Sequence, residues 1–206
     1  MRVGILGGAF NPPHIGHLVC AQEAYLQLDL DTVLFLPMGI APHREIEQDP
    51  GPEVRLRMTE EAISSDDRFA LSRHEVDRDE PSYTVDTLRA FRDRSPGDEL
   101  VLILGGDQAA TLPSWRQPEE VLRLATVAVA TRTNWSRERV ESELTGLRGA
   151  EAVAFFEMPR VDVSSSLVRE RARAGKPIRY LVPDKVANFI AAQSLYGAST
   201  PSPATP

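Results

Sequence analysis

The stretch Gly7-Gly8-Ala9-Phe10-Asn11-Pro12-Pro13-His14-Ile15-Gly16-His17 separates two segments with different hydrophobic patterns. Residues 1–6 before it are mostly apolar, whereas the apolar residues of 18–26 recur at the spacing of an amphipathic helix. The pattern predicts a strand, a tight loop and a helix that begins near Pro13.

The loop has the residue types of an anion-binding site. Gly7 and Gly8 let the backbone approach a ligand closely. His14 and His17 are three residues apart, so both side chains can lie over the first helical turn, beside backbone amides that have no partner in the helix. The positive end of a helix, amide donors and two imidazoles together favour an anion. The alternative is that the glycines form an ordinary turn and the histidines only cap the helix.

The composition is that of a globular protein. The 206 residues suit one domain with a proper core, and 42% hydrophobic and 26% charged residues are ordinary values. No apolar run approaches about 20 residues, and no export signal is visible, so we expect a cytoplasmic protein without a membrane partner. The single cysteine, Cys20, excludes an intrachain disulfide. A net charge of −7 argues against nucleic-acid binding. The oligomeric state stays open, a homo-oligomer included.

Short apolar runs alternate with helical patterns along the rest of the chain. Continuous apolar runs are typical of strands buried on both faces of a parallel sheet, which predicts an α/β fold. The predicted strands cover residues 32–37, 69–77, 100–104, 127–130 and 153–156. The predicted helices cover residues 53–64, 84–92, 136–144, 164–174 and 184–192.

Several polar residues directly follow predicted strands, where ligands of open α/β sheets bind. Gly105, Gly106 and Asp107 follow the strand 100–104, and Asp107 could accept a hydrogen bond from a ribose hydroxyl. Asp107 could equally cap a helix. The loop 38–52 carries His43 and Arg44, and Arg132 follows the strand 127–130.

Two further stretches are ambiguous from the residues alone. Trp115 lies between Pro113 and a charged run, where it could stack on a planar ligand or pack into the core. Ser164, Ser165 and Ser166 open a helix with Arg169 one turn in, which predicts a second anion site or plain capping. Similarly, the hydroxyls of Ser82 and Thr84 could simply cap a helix.

Taken together, these stretches resemble one enzyme family. The segments GGAFNPPHIGH, PSYTVDTL, GGDQ with LPSW, SSSLVR and YLVPDKV are similar to those of bacterial nicotinate-nucleotide adenylyltransferases of NAD biosynthesis, in the HxGH nucleotidyltransferase superfamily. The resemblance covers residues 1–196 as one nucleotidyltransferase domain. It leaves 197–206, a tail rich in Ala, Ser, Thr and Pro that we expect to be disordered.

The resemblance implies a Rossmann-like, doubly wound, mainly parallel sheet with helices on both faces. It implies ATP and nicotinate mononucleotide as substrates, deamido-NAD and pyrophosphate as products, and Mg²⁺ carried by ATP, with no metal site built by the protein. The implied ATP-phosphate ligands are His14, His17, Ser165, Ser166 and Arg169, of which the histidines and Arg169 are the catalytic candidates. The implied lining of the ATP cleft is Gly7, Gly8, Phe10, Gly105 and Asp107. The implied ligands of the nicotinate nucleotide are Thr84 for its carboxylate, Trp115 for stacking, and His43, Arg44 and Arg132 for its phosphate.

The chain departs from the family pattern at three positions. Ala9 stands where the family usually has Thr, Asn11 where it usually has Asp, and Ser166 where it often has Thr. The remaining alternatives are a related enzyme with another acceptor, such as nicotinamide mononucleotide or phosphopantetheine, and a regulatory domain that binds ATP without turning it over.

Overall fold

The computed structural model describes residues 1–42, 45–131 and 135–198. Within these ranges, six parallel strands form one sheet in the order 3-2-1-4-5-6. The strands are β1 (Arg2–Gly8), β2 (Thr32–Pro37), β3 (Phe69–Leu71), β4 (Glu99–Gly105), β5 (Thr126–Thr131) and β6 (Ala154–Glu157). The predicted doubly wound α/β fold is therefore confirmed, because this is the strand order of the Rossmann fold.

Helices connect the strands and cover both faces of the sheet. Their bounds are α1 (Ile15–Gln27), α2 (Pro52–Ile63), α3 (Thr84–Arg94), α4 (Gly106–Ala110), α5 (Pro118–Leu124), α6 (Arg137–Glu143), α7 (Ser165–Arg173) and α8 (Asp184–Ala192). Short 3₁₀ turns lie at Leu112–Ser114, Ala150–Ala152 and Leu195–Gly197. No helix in the described ranges is both long enough and apolar enough to cross a bilayer.

The two layers of the core follow from the alternation of side chains along the strands. In β4, Val101 and Ile103 point to the layer formed by α1, α2, α7 and α8. Leu100, Leu102 and Leu104 point to the layer formed by α3, α4, α5 and α6. Burial on both faces explains why this strand is an unbroken apolar run in the sequence.

One predicted element is shorter in the structure. The strand predicted over residues 69–77 ends at Leu71, and residues 74–77 form a turn in which the Asp77 amide donates to the Arg73 carbonyl at 2.9 Å. β3 lies at the edge of the sheet and pairs only with β2. The edge position leaves the following residues free to turn back toward the body of the protein.

Candidate active site

The site lies where the strand order reverses, between β1 and β4. Because all six strands are parallel, β1, β2 and β4 end at the same edge of the sheet. A cavity of about 450 Å³ opens there. Its lining includes five of the predicted site residues, Gly7, Gly8, Thr84, Asp107 and Trp115. His14, His17 and Arg169 are not among the residues that line it. A crevice at this point is where open α/β sheets bind nucleotides.

The two histidines form the N-terminal cap of α1. The Gly16 amide donates to Nδ1 of His14 at 3.2 Å, and the His14 amide donates to Nδ1 of His17 at 3.1 Å. The ring centroids are 3.8 Å apart and the ring planes are tilted by 32°. A ring nitrogen that accepts a hydrogen bond carries no proton, so in the neutral form of either ring the proton lies on Nε2. Capping and anion binding are thus compatible, because the cap fixes the orientation of the Nε2–H groups.

A second cluster, at the start of α7, is tied to the same loop. Ser164 caps α7 by accepting a hydrogen bond from the Leu167 amide, which confirms its predicted capping. Ser165 donates to the Pro12 carbonyl at 2.8 Å, and Arg169 donates to the Asn11 carbonyl at 3.0 Å. Nε of Arg169 is buried and has no hydrogen-bond partner among the described residues. A buried guanidinium with an unused donor, next to a helix start, is suited to a phosphate.

The carboxylate of Glu47, in the loop before α2, contacts Arg169. Glu47 accepts a hydrogen bond from Nη2 of Arg169 at 2.8 Å, although 75% of the Glu47 side chain is exposed. Nη2 of Arg169 also contacts Oγ of Ser166 at 3.4 Å. The phosphate-binding candidates of α7 are therefore in contact with the loop before α2.

Asn11 connects three parts of the site. Its amide nitrogen donates to the Glu47 carbonyl at 2.8 Å, and its amide oxygen accepts from the Tyr196 hydroxyl at 2.6 Å. Burial raises the pKa of Tyr196, so this phenol stays a donor. An aspartate at this position could not donate to a carbonyl. The amide at position 11 thus has a structural role here that the usual carboxylate could not fill.

The start of α3 forms part of the cavity wall. Thr84 and Val85 are its first residues, and their amides have no hydrogen-bond acceptor among the described residues. Tyr83, not Ser82 or Thr84, is the N-cap residue, so the capping predicted for those hydroxyls is wrong. Two free amides at the positive end of an eleven-residue helix favour a carboxylate.

Aromatic side chains border this part of the cavity wall. Trp115 follows the 3₁₀ turn, is partly buried, and donates from Nε1 to the Thr111 hydroxyl at 3.0 Å. The Arg116 guanidinium lies over the Tyr83 ring, 4.7 Å from its centroid. The indole is thus held in one orientation at the cavity wall, where a planar ring could stack on it.

Glu75 is a buried acid in the cavity wall that sequence reasoning missed. Thr87 donates to its carboxyl at 2.7 Å, and Ser82 is a second hydrogen-bond partner. Burial raises the pKa of Glu75, while the bonds from Thr87 and Ser82 oppose that rise. Glu75 falls inside the strand predicted over residues 69–77, and no pattern there indicates a buried acid.

The other predicted site residues have different surroundings. Phe10 has a positive φ of 48°, its buried ring packs on His17 and Phe35, and it is not among the residues that line the cavity. Gly105 precedes α4 as its N-cap residue, so the predicted cap at Asp107 is wrong. His43, Arg44 and Arg132 lie outside the described residues.

Among the described residues, no three His, Cys, Asp or Glu side chains converge on a point that could hold a metal. Mg²⁺ in nucleotide enzymes is commonly bound through substrate phosphates and water with few protein ligands.

A 3-2-1-4-5-6 parallel sheet, with an HxGH helix cap at its switch point and the N-terminus of α7 bonded to the same loop, is typical of the nucleotidyltransferase class. A family model described as cytidylyltransferase-like matches residues 5–171. Nicotinate-nucleotide adenylyltransferase of Bacillus subtilis (strain 168) is 37% identical over 195 residues, which cover 95% of this chain and 98% of the relative. A Corynebacterium kroppenstedtii protein named probable nicotinate-nucleotide adenylyltransferase is 42% identical over 195 residues, with coverage of 95% and 90%.

The chain belongs to the nicotinate-nucleotide adenylyltransferase family, which confirms the resemblance seen in the sequence motifs. A solved structure supports the fold independently. Nicotinic acid mononucleotide adenylyltransferase of Plasmodium falciparum, complexed with NaAD, superposes with a TM-score of 0.77 over 97% of this chain and 99% of that chain. At 16% sequence identity, this likeness bears on the fold alone.

Proposed function

We propose that this enzyme transfers the adenylyl group of ATP to nicotinate mononucleotide and forms deamido-NAD and pyrophosphate. The observation that carries the proposal is the placement of two kinds of anion site at one edge of the sheet. The open amides of α3 and Trp115 line the cavity and suit an aromatic carboxylate. The histidine pair follows the loop that begins at Ala9, a residue of the cavity lining, and Arg169 is bonded to that loop, so these three side chains suit a polyphosphate.

The reaction needs alignment more than acid–base chemistry. A phosphate monoester has a second pKa of about 6, so the acceptor phosphate is already a nucleophile near neutral pH. One of its oxygens bonds to the α-phosphorus of ATP as the bond from that phosphorus to the β-phosphate oxygen breaks, and pyrophosphate leaves. The gain from holding the two reactants in line replaces a general base.

Each residue of the polyphosphate site has a proposed role. The Nε2–H groups of His14 and His17 donate to the α-phosphate oxygens, where charge increases in the transition state. Arg169 and the start of α7, with Ser165 and Ser166, bind the β- and γ-phosphates. Mg²⁺ bound by ATP supplies further positive charge to the leaving pyrophosphate.

The residues of the acceptor site have separate roles. We propose that Thr84 and the neighbouring amide bind the nicotinate carboxylate, and that Trp115 stacks on the pyridine ring. His43, Arg44 and Arg132 remain candidates for the acceptor phosphate, and Gly7, Gly8, Gly105 and Asp107 for the adenosine side of the cleft. We also propose a cytoplasmic location, supported by the single buried cysteine.

The test is a turnover assay with purified protein, ATP, Mg²⁺ and one acceptor at a time. We expect pyrophosphate release with nicotinate mononucleotide and a lower kcat/KM with nicotinamide mononucleotide or phosphopantetheine. A higher kcat/KM with either of those two acceptors contradicts the proposed substrate. ATP binding without turnover of any acceptor would instead indicate the regulatory domain.

A further inference from the structure

Arg55 is a charged side chain in the interior of the protein. It lies on α2 and its side chain has no exposed surface, whereas Arg57 on the same helix has 57% of its side chain exposed. Burial of a guanidinium is unfavourable unless its donors are satisfied. The partners of Arg55 therefore indicate what its burial achieves.

The guanidinium of Arg55 donates hydrogen bonds both to the loop after β1 and to the loop after β2. Nη1 donates to the Ala9 carbonyl at 3.0 Å, in the loop after β1. Nη1 also donates to the Met38 carbonyl at 2.6 Å, and Nη2 donates to the Gly39 carbonyl at 3.0 Å, both after β2. Nε donates to the Asp49 carboxylate at 2.9 Å. A planar fork of donors holds these oxygens at fixed spacings.

The connection continues from Gly39 to the proposed acceptor site. The Gly39 amide donates to Oγ of Ser82 at 3.2 Å, and Ser82 is bonded to Glu75. Gly39 packs so closely here that a Cβ atom would lie 2.1 Å from the Glu75 carbonyl oxygen. One network of hydrogen bonds thus runs from the loop of the histidines, through Arg55 and Gly39, to the residues just before α3.

We propose that Arg55 is a positioning residue that sets the relative placement of the two halves of the active site. The loop after β1 leads into the histidine pair, and the loop after β2 is bonded to the segment that begins α3. Arg55 does not touch substrate, and it acts by fixing one loop against the other. This inference rests on the proposed function, in which one half holds ATP and the other half holds the acceptor.

The role predicts a specific kinetic signature. Each half-site keeps its own ligands when Arg55 is changed, so each nucleotide alone should bind nearly as before. The alignment of the acceptor phosphate with the α-phosphorus depends on both halves, and a misplacement of about 1 Å can lower a rate by about 100-fold. A loss of general stability would not produce this separation of kcat from KM.

The experiment compares Arg55→Lys with Arg57→Lys, an exposed control on the same helix. Calorimetry gives the Kd of ATP alone, of nicotinate mononucleotide alone and of deamido-NAD, which spans both halves. For folded Arg55→Lys we expect the Kd and KM of ATP and of nicotinate mononucleotide to stay within about threefold of the parent values. We expect at least about 30-fold lower kcat and at least about 10-fold weaker deamido-NAD binding. Arg57→Lys should match the parent.

The outcomes separate this inference from the proposed function. A parent enzyme that neither turns over nor binds deamido-NAD contradicts the proposed function. If the parent turns over and binds deamido-NAD, and folded Arg55→Lys has the same kcat and the same deamido-NAD affinity, the positioning role is contradicted. Equal weakening of the affinities for all three ligands in Arg55→Lys also contradicts it. If Arg55→Lys is unfolded by circular dichroism, Ser82→Ala, which cuts the same network at its other end, is measured instead. An unchanged kcat and deamido-NAD affinity in Ser82→Ala also contradicts the proposal.

Discussion

Arg169 donates a 3.0 Å hydrogen bond to the backbone carbonyl of Asn11, which lies 158 positions earlier in the chain. With the 2.8 Å bond from Ser165 to the Pro12 carbonyl, it joins the start of α7 to the loop that leads into α1. Two helix N-termini therefore lie next to each other, each with its own polar side chains. In the proposed function one polyphosphate contacts both, so a single substrate would account for two motifs far apart in the sequence.

His17→Asn should separate catalysis from helix capping. The asparagine oxygen can accept the His14 amide hydrogen bond that Nδ1 of His17 accepts now, but it offers no donor at the position of Nε2. We expect kcat to fall by about 100- to 1,000-fold, as for removal of one transition-state donor, with a much smaller change in KM. Steady-state kinetics and a melting curve check this. Leu26→Ala, on the exposed side of the same helix, is the control, and a larger change in KM than in kcat would reject the role.

Trp115→Ala should weaken binding of the acceptor but not of ATP. Stacking of an aromatic side chain on a base contributes about 1–3 kcal/mol, so the KM of nicotinate mononucleotide should rise by about 5- to 150-fold. The KM of ATP should stay within about twofold. Tyr180→Ala removes an aromatic ring that is 76% exposed and serves as the control. Equal increases of both KM values would show that the loop, and not the stacking, was disturbed.

Glu75→Gln should change how stability depends on pH. Because the pKa of Glu75 is raised in the folded state, the folded protein binds this proton more tightly than the unfolded chain does. The resulting stabilisation is complete below the ordinary value of 4.5 and is lost as the pH rises through the raised pKa. The Tm of the variant relative to the parent should therefore increase with pH above 4.5. Melting curves from pH 4 to 8 test this, and a pH-independent difference would contradict the assignment.

The strands and most helix starts could be predicted because local patterns determine them. β4 is buried on both faces and gives a continuous apolar run, and α8 has the predicted bounds because helical spacing and Pro183 mark it clearly. The predicted strand over residues 69–77 is wrong for residues 75–77, which form a turn. Their turn is set by tertiary bonds to Glu75, which the local pattern does not encode.

The buried polar contacts of Arg55 and Glu47 were harder to predict than the sequence motifs of the site. Arg55 and Arg57 look alike in a charged helix, and only their tertiary surroundings distinguish them. Arg55, Thr59 and Ala62 do lie at helical spacing on the buried face, so a search that allowed polar residues into the apolar stripe could have found Arg55. Glu47 had no such signal, because its partner Arg169 is 122 positions away.

Glu47→Gln should improve ATP binding, because its carboxylate holds the arginine that the triphosphate needs. Glu47 pairs with Arg169 at 2.8 Å, and the same loop is held by the Asn11 amide through the Glu47 carbonyl. A glutamine keeps the backbone bond and the shape of the side chain but removes the charge that competes with phosphate. An ion pair with one exposed partner contributes about 0–1 kcal/mol, so the KM of ATP should fall by up to about fivefold with little change in the KM of nicotinate mononucleotide. Glu45→Gln, a nearby change of the same charge in the same loop, is the control for long-range electrostatics. A KM of ATP that is unchanged or higher in Glu47→Gln, or an equal decrease in the control, would mean that Glu47 does not compete with the triphosphate for Arg169.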